Sequence, residues 1–391
     1  MVFEITAEEL RDIQDSRKPY TLIDIRRSDD FKEWHIKGAV SFDISNIDTL
    51  STITYNDINQ RLGLGKEDQI IIICAKGVTS KEFAIYLEDI GFNDVKVVKG
   101  GMEAWSGVYD IVNMGTKDDD LVIIQLQRRA KGCIGYIIGS KSSGKAVAID
   151  VSRYIKEFKD IAGKEGLTIE RVFDTHIHAD HISGGRKLSQ QLDIPYHLGS
   201  KAENREVEVE YTPLKSNEVI TIGDVKIKTI HTPGHTSEMT SFMINDEFLM
   251  TGDTLFVESI GRTELEFTES KAKKGAELQY ESIHKSLLSK PDEMKILPSH
   301  FTVTSEGDFV EVIPGKPIFT TVGYLRENNE ILQLEKDNFI DYMLDNLPEK
   351  PPNYSEIIAV NLGKKSFDED KATEMELGPN RCAASKSSMI G

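Results

Sequence analysis

Four apolar runs in the second half of the chain each end in residues that bind metals. They are IERVFDTHIH (169–178), VKIKTIHTPGH (225–235), DEFLMTGD (246–253) and EMKILPSH (293–300). Side chains from four strand ends converge only if the strands lie in neighbouring sheets and finish at one edge. Ligands on loops held by a rigid sheet are a common way to build a functional centre. Ahead of these runs, LVIIQLQ, IGYIIGS and KAVAIDV read as successive strands divided by glycine and serine turns, as in a sheet meander. A helical segment is expected around 152–165.

The ligand candidates are specific. His176, His178, Asp180 and His181 come from a single loop, HIHADH; His235 follows in HTPGHT, Asp253 in TGDT and His300 in LPSH. Five of the chain's nine histidines therefore belong to the set, a density rarely needed for packing alone. Imidazole and carboxylate donors suit zinc, iron or manganese, whereas a thiolate set would indicate structural zinc. His231, His197, His35 and His284 lack this context and are expected to be ordinary residues, with His231 near enough to support the site.

The first hundred residues have a different pattern. TLIDI (21–25), IIIIC (70–74) and VKVVKG (95–100) read as buried strands, and FAIYLEDIG (83–91) has helical spacing ending in glycine. Strands alternating with helices predict a parallel α/β sheet. The polar stretch 109–120, ending in KDDD, is expected to be a linker between two domains. Cys74 closes the IIII strand just before a helix, where inward-pointing backbone N–H groups lower a thiol pKa and stabilise a bound anion or persulfide.

Length and charge narrow the remaining classes. At 391 residues the chain exceeds the roughly 100–200 of one domain, so two are expected. A net charge of −18 argues against nucleic acid and anionic membranes as partners. The N-terminal MVFEITAEELRDIQD is too acidic for a signal peptide, and no apolar run reaches the roughly 18 residues of a membrane helix. Cys74, Cys133 and Cys382 are sparse and odd in number, which predicts no disulfide framework and a reducing cytoplasm. The polar last ten residues are expected to be loose.

HIHADH followed by TPGHT, TGDTLF and a late histidine resembles the metallo-β-lactamase fold, a four-layer αββα sandwich, over about 121–350. Within that fold the chain is similar to the glyoxalase II-type thioester hydrolases and to the persulfide dioxygenases. LIDIRRSDDFKEWHIKGAVSFDI (22–44) and VKGGMEAWSG (98–107) resemble the rhodanese sulfurtransferases over about 4–107, matching at Asp24, Arg26, His35, Gly38, Ala39, Gly100, Gly101 and Trp105. The implied organisation is a rhodanese-like parallel-sheet domain (1–108), a linker (109–120) and a metallo-β-lactamase αββα domain (121–391).

The dioxygenase resemblance implies one ferrous iron on His176, His235 and Asp253. His178, Asp180, His181 and His300 then surround it, or hold a second metal or zinc. The interval of 18 positions from His235 to Asp253 is short, as in the dioxygenases, and Arg262 in GRTEL resembles their substrate-side arginine. Phe301 and Thr302 follow His300, where those enzymes usually carry Asp and Tyr. The rhodanese resemblance implies that Cys74 carries sulfur as a persulfide, with Lys76 the cation of its loop. The expected activity is oxidation of a small thiol persulfide by O2 to sulfite, coupled to sulfane-sulfur transfer through Cys74. Two alternatives stand beside it: a dinuclear thioester hydrolase, and a non-enzymatic sulfur-relay or sensing module. A homodimer or tetramer is implied by resemblance alone.

Overall fold

The computed structural model describes residues 2–45, 49–115, 117, 119–266, 271–347, 349–351 and 353–384. Its N-terminal part is a five-stranded, all-parallel sheet. The strand order is Phe3–Ile5, Asp94–Val98, Gln69–Ile73, Thr21–Asp24, Ala39–Ser41. The central strand is a run of four isoleucines because helices cover both of its faces. Ile70 and Ile72 pack with Ile58, Phe83 and Leu87 on one side. Ile71 and Ile73 pack with Leu10, Trp34, Met102 and Trp105 on the other. Alternation along the strand sends successive side chains to opposite faces.

The rest of the chain forms two stacked sheets. In the seven-stranded sheet, Tyr109–Asn113, Leu121–Arg128, Cys133–Ser140 and Lys145–Ile149 form an antiparallel meander. Thr168–Phe173, Tyr196–Gly199 and Thr212–Leu214 continue it in parallel. The six-stranded sheet runs Val219–Ile222, Val225–His231, Thr240–Ile244, Phe248–Gly252, Lys295–Pro298, Thr320–Thr321. Tyr136, Ile138, Val147 and Phe173 meet Ile227, Phe242, Phe248 and Leu297 between the sheets. Helices Ile155–Lys164 and Gly185–Leu192 cover one outer face through Phe158 and Leu188. Helices Ala272–Glu281 and Lys336–Asp345 cover the other through Ala276, Phe339 and Met343. This is the expected four-layer αββα order.

Two expectations need correction. The stretch 109–120 is not linker throughout, because Tyr109–Asn113 pairs antiparallel with Leu121–Arg128 as the edge of the seven-stranded sheet. Nor is the whole of the last ten residues loose. Ala383 bridges Gly261, Ala384 N–H donates to Ile260 C=O, and Cys382 is buried. Residues 385–391 lie outside the described residues. No described helix is long and apolar enough to cross a membrane.

The two parts touch directly. His35 N–H donates to Ser305 C=O (2.9 Å), and Arg129 pairs with both Asp15 and Asp110 (2.7 and 2.8 Å).

Candidate metal centre

Strand direction places the ligand candidates. Val225–His231, Phe248–Gly252 and Lys295–Pro298 all run the same way through their sheet, so their C-terminal ends share one edge. His235, Asp253 and His300 project from the loops beyond those ends. The HIHADH loop leaves Thr168–Phe173 in the facing sheet. All seven candidates are buried: His176, His178, Asp180, His181, His235, Asp253 and His300 are each at most 2% exposed.

The loop is held by carboxylates whose role the sequence did not single out. Asp150 accepts from Thr175 N–H (2.7 Å), Thr175 Oγ1 (3.0 Å) and Ser299 Oγ (2.6 Å), and lies 3.3 Å from His178 Nε2. Thr175 Oγ1 spends its proton on Asp150, so it accepts from His176 Nδ1–H (2.9 Å). This fixes the tautomer and leaves the His176 Nε2 lone pair free to bind. Burial, reinforced by His178, His235 and His300, holds the His176 pKa well below the ordinary imidazole value. Asn361 Nδ2 ties the loop further, donating to the carbonyls of His178 (2.8 Å) and His181 (2.9 Å).

His235 is oriented in the same manner. Its Nδ1–H donates to Arg262 C=O (2.6 Å), which directs Nε2 toward Asp253 Oδ2 at 3.6 Å. His176 Nε2 lies 3.8 Å from that oxygen. Among the described residues, His176 Nε2 and Asp253 Oδ2 are buried and have no hydrogen-bond partner. Leaving buried polar atoms unpaired is costly, and a cation between these two would resolve the cost for both, with His235 Nε2 facing the same oxygen. Their spacing is one that metal–donor bonds of about 2.1 Å span.

A second set adjoins the first. Ligand atoms of Cys133, Asp180, His181 and His300 lie within 4.8 Å of one another, as do those of Asp253, His300 and Cys382. His300 sits between two carboxylates, with Nε2 3.0 Å from Asp180 Oδ2 and Nδ1 bonded to Asp253 Oδ1. Burial disfavours its cation, but Asp253 and Asp180 overcome that and hold its pKa well above the ordinary value. A thiol from outside the four motifs therefore adjoins the cluster. Cys133 Sγ is 3.1 Å from Asp180 Oδ2. His178 falls in a set with Asp150 and Asp174, while its ring packs against those of His176 and His181, with centroids 4.2 Å away in each case.

Arg262 is fully buried, and its guanidinium binds Glu264 and the carbonyls of Glu349 (2.9 Å) and Arg381 (3.0 Å). It anchors the C-terminal segment here. Of the histidines set apart, His231 Nε2 donates to Ser237 C=O (2.9 Å), and His197 packs edge-on against Phe173. His35 stacks on Phe31 and His284 on Tyr280.

Cys74 occupies the turn between strand Gln69–Ile73 and helix Thr79–Asp89. Its sulfur accepts from Gly77 N–H (3.1 Å) and lies 3.4 Å from Ser80 Oγ. Burial raises the thiol pKa, yet bonds from the Ser80 and Thr79 side chains and the Ser80 and Lys76 backbone outweigh it, leaving it below the ordinary thiol value. The loop packs tightly on the Gly100–Gly101 turn: a Cβ on Gly101, at φ +58°, would stand 2.1 Å from Cys74 C=O. Lys76 points outward and pairs with Glu103 (3.2 Å).

Comparison with known proteins divides the chain likewise. Residues 6–107 match the rhodanese-like domain model and residues 143–303 the metallo-beta-lactamase superfamily model. The human mitochondrial persulfide dioxygenase ETHE1 is 29% identical over 176 residues, covering 44% of this chain and 66% of its own. The probable hydroxyacylglutathione hydrolase glo2 of Schizosaccharomyces pombe is 28% identical over 180 residues, covering 45% and 65%. The chain thus spans just under two thirds of each of these relatives. A metallo-beta-lactamase structure from Staphylococcus aureus superposes with a TM-score of 0.58 at 28% identity, covering 64% of this chain and 76% of its own. The structure of ETHE1 from Myxococcus xanthus shares the fold, with a TM-score of 0.53 at 23% identity over 62% and 99%.

Proposed function

In a chain that joins a rhodanese-like domain to a metallo-β-lactamase domain, we propose that His176, His235 and Asp253 hold one iron and serve the oxidation of a small thiol persulfide. The reaction consumes the persulfide, O2 and water and yields the thiol and sulfite. Iron on two imidazoles and one carboxylate supplies open positions for a sulfur ligand and for O2. The observation that carries this reading is the pair of unpartnered buried atoms, His176 Nε2 and Asp253 Oδ2, with His235 Nε2 facing the same oxygen. The relatives named as persulfide dioxygenases support it.

Each residue then has a defined task. Thr175 and Asp150 fix the His176 tautomer, and Arg262 C=O fixes that of His235. His300 lies between Asp253 and Asp180, within hydrogen-bond distance of both. Cys74, held as a reactive thiol by its loop, accepts sulfane sulfur as a persulfide and passes it on. Lys76, turned outward onto Glu103, would hold a dianionic donor only weakly, which favours persulfide or polysulfide donors. Three free, buried cysteines suit a reducing cytoplasm.

A second reading rests on Asp180, His181 and His300 beside Asp253, which in a two-metal centre would serve thioester hydrolysis. The hydroxyacylglutathione hydrolase relatives favour it. It gives the Cys74 loop no task. An oxygen electrode and a thioester assay on one iron-loaded preparation separate the two. Oxygen uptake with sulfite formed, and no thioester cleavage, is expected; cleavage without uptake would replace the first reading with the second.

A further inference from the structure

Where the two domains meet they frame a cavity of about 580 Å³. Ligand pockets often form at domain junctions and fall between roughly 300 and 1,000 Å³. The rhodanese-like domain lines it with Trp34, Met102 and Ala75, the residue after Cys74. The metallo-β-lactamase domain lines it with Val303, Leu377 and Arg381. Hydrogen bonds fix both walls. Arg26 donates to Trp34 C=O (2.7 Å), and Glu103 N–H to Ala75 C=O (3.1 Å). Opposite them, Asn380 Nδ2 donates to the carbonyls of Lys131 (2.7 Å) and Phe301 (3.1 Å). Walls set in advance lower the ordering cost of binding. At about 30 Å³ per water, the space suits a ligand on the order of twenty non-hydrogen atoms, the size of a short peptide.

The charges around the cavity are divided between the domains. Arg26 is spent on Asp24 (2.6 Å) and Glu103 on Lys76 (3.2 Å). Asp30 and Glu33, from helix Ser28–Glu33, both line the cavity and form no ion pair among the described residues. Across from that domain, Arg381 meets Glu349 only at 3.6 Å, beyond hydrogen-bond distance, and its side chain is 38% exposed. One domain therefore offers two carboxylates and the other a guanidinium. An ammonium suits the first, and a carboxylate suits the planar fork of the second. Trp34, Met102 and Val303 add apolar surface, and Leu377 stands 37% exposed beside them.

We infer that this cavity binds a zwitterionic thiol of amino-acid or peptide type, the carrier of the persulfide. That the ligand is a thiol rests on the proposed persulfide chemistry; that it carries both charges rests on the cavity alone. The site needs both domains, since its acidic and basic ends come from different ones.

The test is calorimetric titration of the full, iron-loaded chain, kept free of O2, with S-methylglutathione, which has no thiol to exchange or to bind the metal. One molecule per chain is expected to bind. Asp30→Asn combined with Glu33→Gln, and Arg381→Gln alone, should each weaken binding by about fivefold. Leu377→Trp, which fills the space from an exposed position, should abolish it. Absence of binding, or an affinity unchanged by the acidic pair or by Arg381→Gln, overturns the inference. Should the variants fail to fold, the wild type decides: N-acetylation of the probe, or esterification of its carboxylates, should weaken binding by a similar factor. Equal affinity for the blocked and unblocked probes overturns it. Oxygen plays no part in this titration, so its result is separate from the proposed oxidation, which fails instead if the aerobic iron-loaded chain takes up no O2 with any thiol persulfide.

Discussion

A hydrogen-bond relay aims the imidazoles of His176 and His235 at Asp253. Asp150 orders Thr175, Thr175 orders His176, and the Arg262 carbonyl orders His235. Asp253 completes the set, and Asp253→Ala is expected to abolish iron binding; unchanged iron content in that variant would remove it as a ligand. Cys74→Ser should abolish sulfane transfer and leave oxygen uptake on free persulfide intact, as separate transfer and uptake assays can show. Thiolate is the reactive form, and the loop holds the Cys74 pKa below the ordinary thiol value. Its alkylation rate should therefore persist as pH falls past the ordinary midpoint and decline only below it. A midpoint at or above the ordinary value would contradict the loop's role. The seven candidates in HIHADH, HTPGHT, TGDT and LPSH were legible because each is local to a motif. Asp150, Asn361, Cys133 and Cys382 were not, because only the folded chain brings such distant positions together.

Strands and turns carry the next level. The five-stranded sheet was legible from IIIIC and its neighbours, since a fully buried parallel strand is apolar throughout. Tyr109–Asn113 was hidden because an edge strand exposes alternate residues, here Ile111 and Asn113, beside a charged stretch. The turn Gly100–Gly101 shows how an element positions a residue in another. Gly101→Ala combines a left-handed φ with contacts at 2.1 Å to Cys74 C=O and 2.8 Å to Ala75 C=O. It is expected to cost on the order of 2 kcal/mol and to lower sulfur transfer more than oxygen uptake. Equal stability and transfer, measured by denaturation and assay, would show that the Cys74 loop does not depend on that close approach.

At the scale of the molecule, Glu376 fastens the C-terminal segment to the rest. Its carboxylate meets Arg128 (2.7 Å) and Arg153 (3.2 Å) and accepts from Ile182 N–H (2.6 Å), just past His181. Arg128 and Glu376 are 248 positions apart and at most 1% exposed, which no local pattern could reveal. Breaking a buried pair leaves an uncompensated charge, so Glu376→Ala should cost about 3–5 kcal/mol in chemical denaturation. Burial raises the Glu376 pKa, but Arg128 and Arg153 together bring it below the ordinary value. Its contribution is therefore full at neutral pH and is lost as pH falls through the folded-state pKa. The gap between wild type and variant should narrow in acid; a constant gap would mean that packing rather than charge holds the segment. The central claim is that one metal, held by two histidines and an aspartate, serves oxygen chemistry on a persulfide. Its most direct test is to titrate the metal-free protein with ferrous iron while recording oxygen uptake on a thiol persulfide. Uptake that rises linearly and saturates at one iron per chain, with sulfite formed, is the predicted result. No uptake at one iron, or activity that needs a second metal and cleaves thioesters, would contradict it.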